Sequence, residues 1–97
     1  MRIIARSAIV QFYTIHPEAK TALEEWFWKT RKAEWTSFAD MRQTFGSADG
    51  VGNQRYVFNI HGNSFRLVAV VKFTIRTVFI RFVGTHAEYD HVDVQNI

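Results

Sequence analysis

From Arg55 to Phe82 the apolar residues return at every second position. Tyr56, Phe58 and Ile60 make one set. Phe65, Leu67, Ala69, Val71 and Phe73 make a second, and Val78, Ile80 and Phe82 a third. A period of two marks a β-strand. The interruptions "HGN" and "TIR" read as turns, so three antiparallel strands joined by hairpins are expected. A two-residue loop makes paired positions sum to an odd number. With such loops in both hairpins, all three sets share one apolar face. The other face then holds Arg55, Asn59, Ser64, Arg66, Lys72, Thr77 and Arg81 among valines and Phe79. On this reading Arg81 is not a buried charge. It stands on an open, basic sheet surface near Arg66 or Lys72. A three-residue second loop would flip the last strand, and the far more apolar alternate set argues against it.

Before Arg55 the period changes. "MRIIA" reads as a short first strand. "SAIVQFYT" reads as a helix with Ser7 as N-cap and Ala8, Ile9, Phe12 and Tyr13 on one side. Pro17 ends it and opens the next helix. There Ala19, Ala22, Leu23, Trp26, Phe27 and Thr30 fall on one stripe of a 3.6-residue period. Trp28 lies off the stripe, exposed or facing a partner. A third short helix begins at Ser37 with Asp40 as its capping companion, shows a Phe38, Met41 and Phe45 stripe, and has Gly46 at C′. "SADGVGNQ" reads as a loop. Thr85 and Glu88 form a capping box that opens a closing helix. The expected architecture is α+β, with helices packed on one face of a small, mainly antiparallel sheet, in one domain over residues 1–97.

Composition narrows the function classes. The chain is 47% hydrophobic and has no cysteine, which excludes disulfides and a Cys-based zinc site. The start is too short and too charged for a signal peptide. The apolar region Phe65 to Gly84 is broken by Arg66, Lys72, Arg76 and Arg81, so it does not read as a membrane span. A cytoplasmic protein is expected. The net charge is only +3, but its distribution is uneven. All nine acids lie in Glu18–Asp49 or Glu88–Asp93, while Arg55, Arg66, Lys72, Arg76 and Arg81 fall in the acid-free stretch between. The basic character belongs to the sheet. Nucleic acid or phosphate binding fits that footprint, and a solvated sheet surface fits it too.

Candidate chemistry gathers at "THAEYD". His86, Asp90 and His91 have ligand-like spacing, but the motif is short and the sheet offers no further carboxylate, so neither a metal nor another cofactor is expected. No P-loop, HExxH or dinucleotide fingerprint is present. The capping box accounts for Thr85 and Glu88 without any function. It does not account for His86 and Tyr89 beside a basic face, where a helix start near cations suits phosphate.

The stretches "YVFNIHGNSFRLVAVVKF" and "VFIRFVGTHAEYDHVDV" carry a resemblance. Through "FNIxGNxxRL" and "IRFVGTHAEYD" the sequence resembles the HigB family of bacterial toxins, a branch of the RelE/ParE-like toxins. The match covers residues 55–94; the first half agrees in length and helical pattern. The resemblance implies a RelE/ParE-like fold and a ribosome-dependent mRNA endonuclease, whose cleavage we expect to be metal-independent. It implies neutralisation by a HigA-type helix-turn-helix antitoxin, with DNA met only through that complex. By motif position it points to Asn59, Asn63, Arg66, Arg81, His86, Tyr89 and Asp90. We expect His86, Arg81, Arg66 and Tyr89 at the chemistry. Arg55, Asn59, Asn63 and Lys72 are expected on the RNA backbone, Arg55 and Lys72 from the face argument. A gyrase-directed toxin of the ParE branch and a non-catalytic antitoxin-binding domain are the alternatives.

Overall fold

The computed structural model describes all 97 residues, Met1–Ile97. The elements run β1 (Arg2–Ile4), α1 (Arg6–Ile15), α2 (Lys20–Lys32), α3 (Phe38–Thr44), β2 (Asp49–Gly52), β3 (Arg55–Ile60), β4 (Phe65–Lys72), β5 (Thr77–Thr85) and α4 (His86–Tyr89). The five strands form one sheet in the order β1-β5-β4-β3-β2. Only β1 is parallel to its neighbour. This is the expected α+β architecture with two additions. The stretch read as a loop contains β2, a glycine-rich edge strand paired with β3. The first strand joins the same sheet beside β5.

The helix stripe builds the main core. Ala19, Leu23, Trp26, Phe27 and Thr30 are buried, and Trp28, off the stripe, is 47% exposed. Trp26 meets Phe58 edge-on at 5.4 Å, and Phe45 meets Phe58 at the same distance. Such offset and edge contacts are the favoured aromatic geometries. Phe58, Ile60, Phe65, Leu67, Ala69, Val71 and Val78 supply the sheet side. Ser37 caps α3 by accepting from the Asp40 amide, as expected. Ser7 does not cap α1; the N-cap is Ala5, without a side-chain bond. Gly46 follows α3 but does not take a positive φ, which among glycines belongs to Gly52 and Gly62.

The hairpin connections are His61–Ser64 and Phe73–Arg76, since Ile60 pairs with Phe65 and Lys72 with Thr77. Each is longer than the expected two residues but still even in number, so the parity argument survives both turns. It fails later. Ala69 pairs with Ile80, yet Val68 pairs with Phe82. Arg81 is left opposite nothing, the mark of a β-bulge. Beyond it the faces exchange: Val83 packs against the main core, and Phe82 leaves it for the second face. The placement of Phe82 in the core is therefore corrected.

The second face is not fully open either. Val57, Val68 and Val70 point to it and are buried. Helix α4 packs on β4 and β5 there. The segment after α4 is tied to the sheet edge by three links. Asn53 Nδ2 donates to Gln95 O at 2.8 Å, Gln95 Nε2 donates to Val51 O at 2.9 Å, and the Arg55 guanidinium donates to Ile97 O. Val92, Val94 and Ile97 in this segment are half-buried.

Helix α4 is held by the predicted capping box. Glu88 N donates to Thr85 Oγ1 at 3.1 Å, and Thr85 N donates to Glu88 Oε1 at 2.8 Å. The Thr85 backbone N–H, then its hydroxyl, hold the Glu88 carboxyl below its usual range. A depressed folded value means the cap contributes fully above the ordinary glutamate range and is lost as pH falls through that depressed value. Amide exchange at Thr85, whose N–H donates to the Glu88 carboxylate, followed by NMR against pH, should show protection that persists through mildly acidic pH and fails only below the ordinary range. Protection lost near neutrality would contradict the cap.

Leu67 is fully buried, so Leu67→Ala should destabilise by about 2–5 kcal/mol in denaturant unfolding. Its neighbour Arg66 faces the other way, and Arg66→Ala should cost far less. Equal losses at the two positions would refute the face assignment.

Candidate RNA-binding site

Residues of four elements meet at one end of the second face. Asn59 lies near the end of β3 and Arg66 pairs with it from the start of β4. Asn63 stands in the intervening turn and accepts from Arg66 Nη1 at 3.2 Å. That turn needs positive φ at His61 and Gly62, which explains a glycine at its tip. Tyr89 comes from α4, and the Arg66 guanidinium carbon sits 5.6 Å from its ring centroid, a cation–π contact. Phe82 lies 6.4 Å from the same ring.

Ser47, Asp49, Val51, Val57, Asn59, Arg66 and Tyr89 line a shallow depression of about 140 Å³. It is small beside the usual 300–1,000 Å³ of pockets that enclose a small molecule. A groove that meets a strand or a surface fits it better. A larger depression of about 300 Å³ opens between α2 and the end of β3. Its charged groups are spent on each other, since Lys29 Nζ sits 2.6 Å from Glu25 Oε1. It offers no unpaired cation to an anion.

His86 opens α4 and is exposed. Its Nδ1 faces Asp90 Oδ2 at 3.5 Å, which leaves Nε2 toward solvent. His86 and Tyr89 stand three residues apart, so their Cβ atoms lie about 5–6 Å apart on one helix side. The expectation that the helix start itself holds phosphate does not stand. Helix α4 is a single turn. Two of its first amides are taken, His86 N by Ser64 O and Glu88 N by Thr85 Oγ1. Side chains must bind any anion here.

Arg81 protrudes from the bulge and is exposed, with no intramolecular ion pair. Unpaired, it lies between the levels of Val68 and Ala69, about 8 Å along the sheet from the level of Arg66. Lys72 is six positions from Arg66 on the same strand, about 20 Å by strand rise. It is hydrogen-bonded to Gln54 Oε1. Arg55 is held by Ile97 O. The two cations do not share a phosphate with Arg66. The structure thus brings together Asn59, Asn63, Arg66, Tyr89 and, beside them, His86 and Asp90. Arg81 is a neighbour, and Arg55 and Lys72 are remote.

Ser47, Asp49 and Phe82 were not read from the sequence as part of this place. Asp49 sits in a segment without strand periodicity, and Phe82 was hidden by the bulge. No cluster of three or more His, Asp or Glu side chains able to hold a metal is present, and no helix is long and apolar enough to cross a membrane.

A family described as HigB_toxin, the RelE-like toxic component of a toxin–antitoxin system, matches residues 19–92. The chain is 33% identical to the mRNA interferase toxin HigB of Escherichia coli K12 over 92 residues, 93% of this chain and 88% of that one. It is equally similar to mRNA interferase HigB of Shigella flexneri, and 26% identical over 92 residues to that of Escherichia coli O6:H1. A toxin of this kind has an antitoxin as its partner. The match spans α2 to the segment after α4, and so includes every residue of the depression: the chain belongs to the HigB family of RelE-like toxins.

Proposed function

We propose that this protein is a cytoplasmic mRNA endonuclease that cleaves on the ribosome and is held in check by a HigA-type antitoxin. One observation carries the reading. Arg66 is fixed between Asn63 and the Tyr89 ring, with most of its donors unused, and the exposed His86 stands three residues before Tyr89 on α4. A guanidinium presents five N–H donors in a fork that suits phosphate.

The chemistry follows from that placement. The ribose 2′-OH attacks the adjacent phosphorus, and the 5′-oxygen leaves with the downstream strand. Negative charge grows on the phosphoryl oxygens, where fixed cations act most strongly. Arg66 takes this charge, and Arg81 holds the next stretch of backbone. His86 Nε2 removes the 2′-OH proton, and the resulting imidazolium returns a proton to the 5′-oxygen. Asp90 orients the ring from the Nδ1 side. Tyr89 stacks on Arg66 and faces the nucleotide. Asn59 and Asn63 serve as polar contacts and, for Asn63, as the brace on Arg66. Arg55 and Lys72 contact RNA further along its path. No step requires a metal ion, because charge neutralisation and proton transfer are both supplied by side chains.

Single-turnover cleavage on programmed ribosomes tests the assignment. Arg66→Ala should lower the rate at saturating toxin by about 10²–10³-fold, the loss typical of a donor that stabilises a developing anion. His86→Gln keeps a hydrogen-bonding side chain but transfers no proton near neutral pH. It should slow the same step by about 10²–10⁴-fold while antitoxin binding persists. A His86→Gln protein within about threefold of wild type would remove His86 from the proton-transfer role. Growth inhibition with no cleavage by wild type would point instead to the gyrase-directed branch.

A further inference from the structure

We infer that Phe82 and Tyr89 together form an aromatic platform that stacks on a base of the bound RNA, and that Gly84 is what allows the platform to exist. The inference rests on the mRNA reading above and specifies how that site grips its substrate.

Three observations lead to it. The Arg81 bulge carries Phe82 out of the main core and onto the face that holds Arg66. There the ring, opposite Val68 at the margin of the second cover, is only half-buried and keeps part of its surface open. Second, the ring lies directly over Gly84, the residue paired with Arg66. A Cβ on Gly84 would fall 2.3 Å from Phe82 Cζ and 3.0 Å from both Cε atoms. Gly84 has an ordinary negative-φ backbone, so the constraint is space and not conformation. The benzyl ring occupies the place a side chain at position 84 would take. Third, this brings it within 6.4 Å of Tyr89, with the two planes 53° apart and Tyr89 itself against the Arg66 guanidinium.

Two half-exposed rings next to a phosphate-binding arginine are the components of a single-strand stacking site. Every base has a π-face, so such a platform strengthens grip and orients the nucleotide without selecting one base strictly. In the proposed site the arginine would hold the phosphate while the rings hold the base joined to it. Phe82 is thus a binding residue, and Gly84 a positioning residue acting through it.

Two measurements test this. The first is single-turnover cleavage on programmed ribosomes as a function of toxin concentration. The second is binding of a short purine-rich RNA oligonucleotide to the toxin alone, read by anisotropy. Phe82→Leu keeps apolar bulk but no ring, and should raise the half-saturating concentration about tenfold, with a smaller effect on the maximal rate. Phe82→Tyr, which keeps a stacking ring, should recover most of that loss. Gly84→Ala should weaken binding by displacing the ring. Its effect should vanish in a Phe82→Leu background, where the new methyl group has room. A purely structural role would give equal losses for Leu and Tyr, or a Gly84→Ala loss that persists in the double variant. Either outcome overturns the platform, as does unchanged binding in Phe82→Leu. If wild type binds the oligonucleotide with the expected Phe82 dependence but never cleaves on ribosomes, the mRNA reading fails and the platform stands.

Discussion

A central strand whose apolar side chains fill both of its faces needs two covers, and β4 sets that requirement for the whole chain. Leu67, Ala69 and Val71 point one way and Val68 and Val70 the other, all buried. Strands covered on both faces read as near-continuous apolar runs. The first cover is the helical layer, with α2 presenting its stripe. The second is α4 and the segment after it, tied back through Asn53, Arg55 and Val51. The candidate site is the gap this second cover leaves. Where α4 crosses the start of β4, Arg66 and Tyr89 meet at the surface instead of being buried.

This arrangement separates the main core from the candidate site across the thickness of one strand. Arg66 and Leu67 are adjacent in sequence and opposite in role. It also explains why the basic residues of the sheet do not act as one patch. The second cover reaches Arg55 with a backbone carbonyl, and Lys72 lies at the far end of the strand. What remains available to an anion is the pair Arg66 and Arg81, near the exposed end.

Much of the framework was legible because its signals are local. The stripe from Ala19 to Thr30 needs only helical periodicity. The Thr85 and Glu88 box is a four-residue motif, and Asn59, Asn63 and Arg66 fall together wherever the β3–β4 hairpin closes. The features that escaped depend on pairing between distant segments. Nothing in "DGVG" has strand character; β2 forms because β3 presents an unpaired edge. The second cover is set by hydrogen bonds across more than forty residues of sequence separation. The bulge is the sharpest case. Counting by twos is correct up to Ile80 and wrong after it, because one unpaired residue reverses every later side chain.

That reversal makes β5 a strand in which residue number matters as much as residue type. With Arg81 present, Ile80 and Val83 both serve the main core, while Phe82 is released to the other side. A chain without Arg81 would lose the bulge together with the cation. Regular alternation would return with Phe82 directly after Ile80, still opposite Val68 on the second face, and with Val83 still opposite Leu67. Removing the bulge residue keeps the phase of the strand; a one-residue insertion or deletion among the paired residues that follow would reverse everything downstream. Relatives can therefore differ by the bulge residue itself, while spacing from Phe82 to α4 should be strict, and an alignment gap in that shorter interval would mark a protein with a differently oriented closing helix.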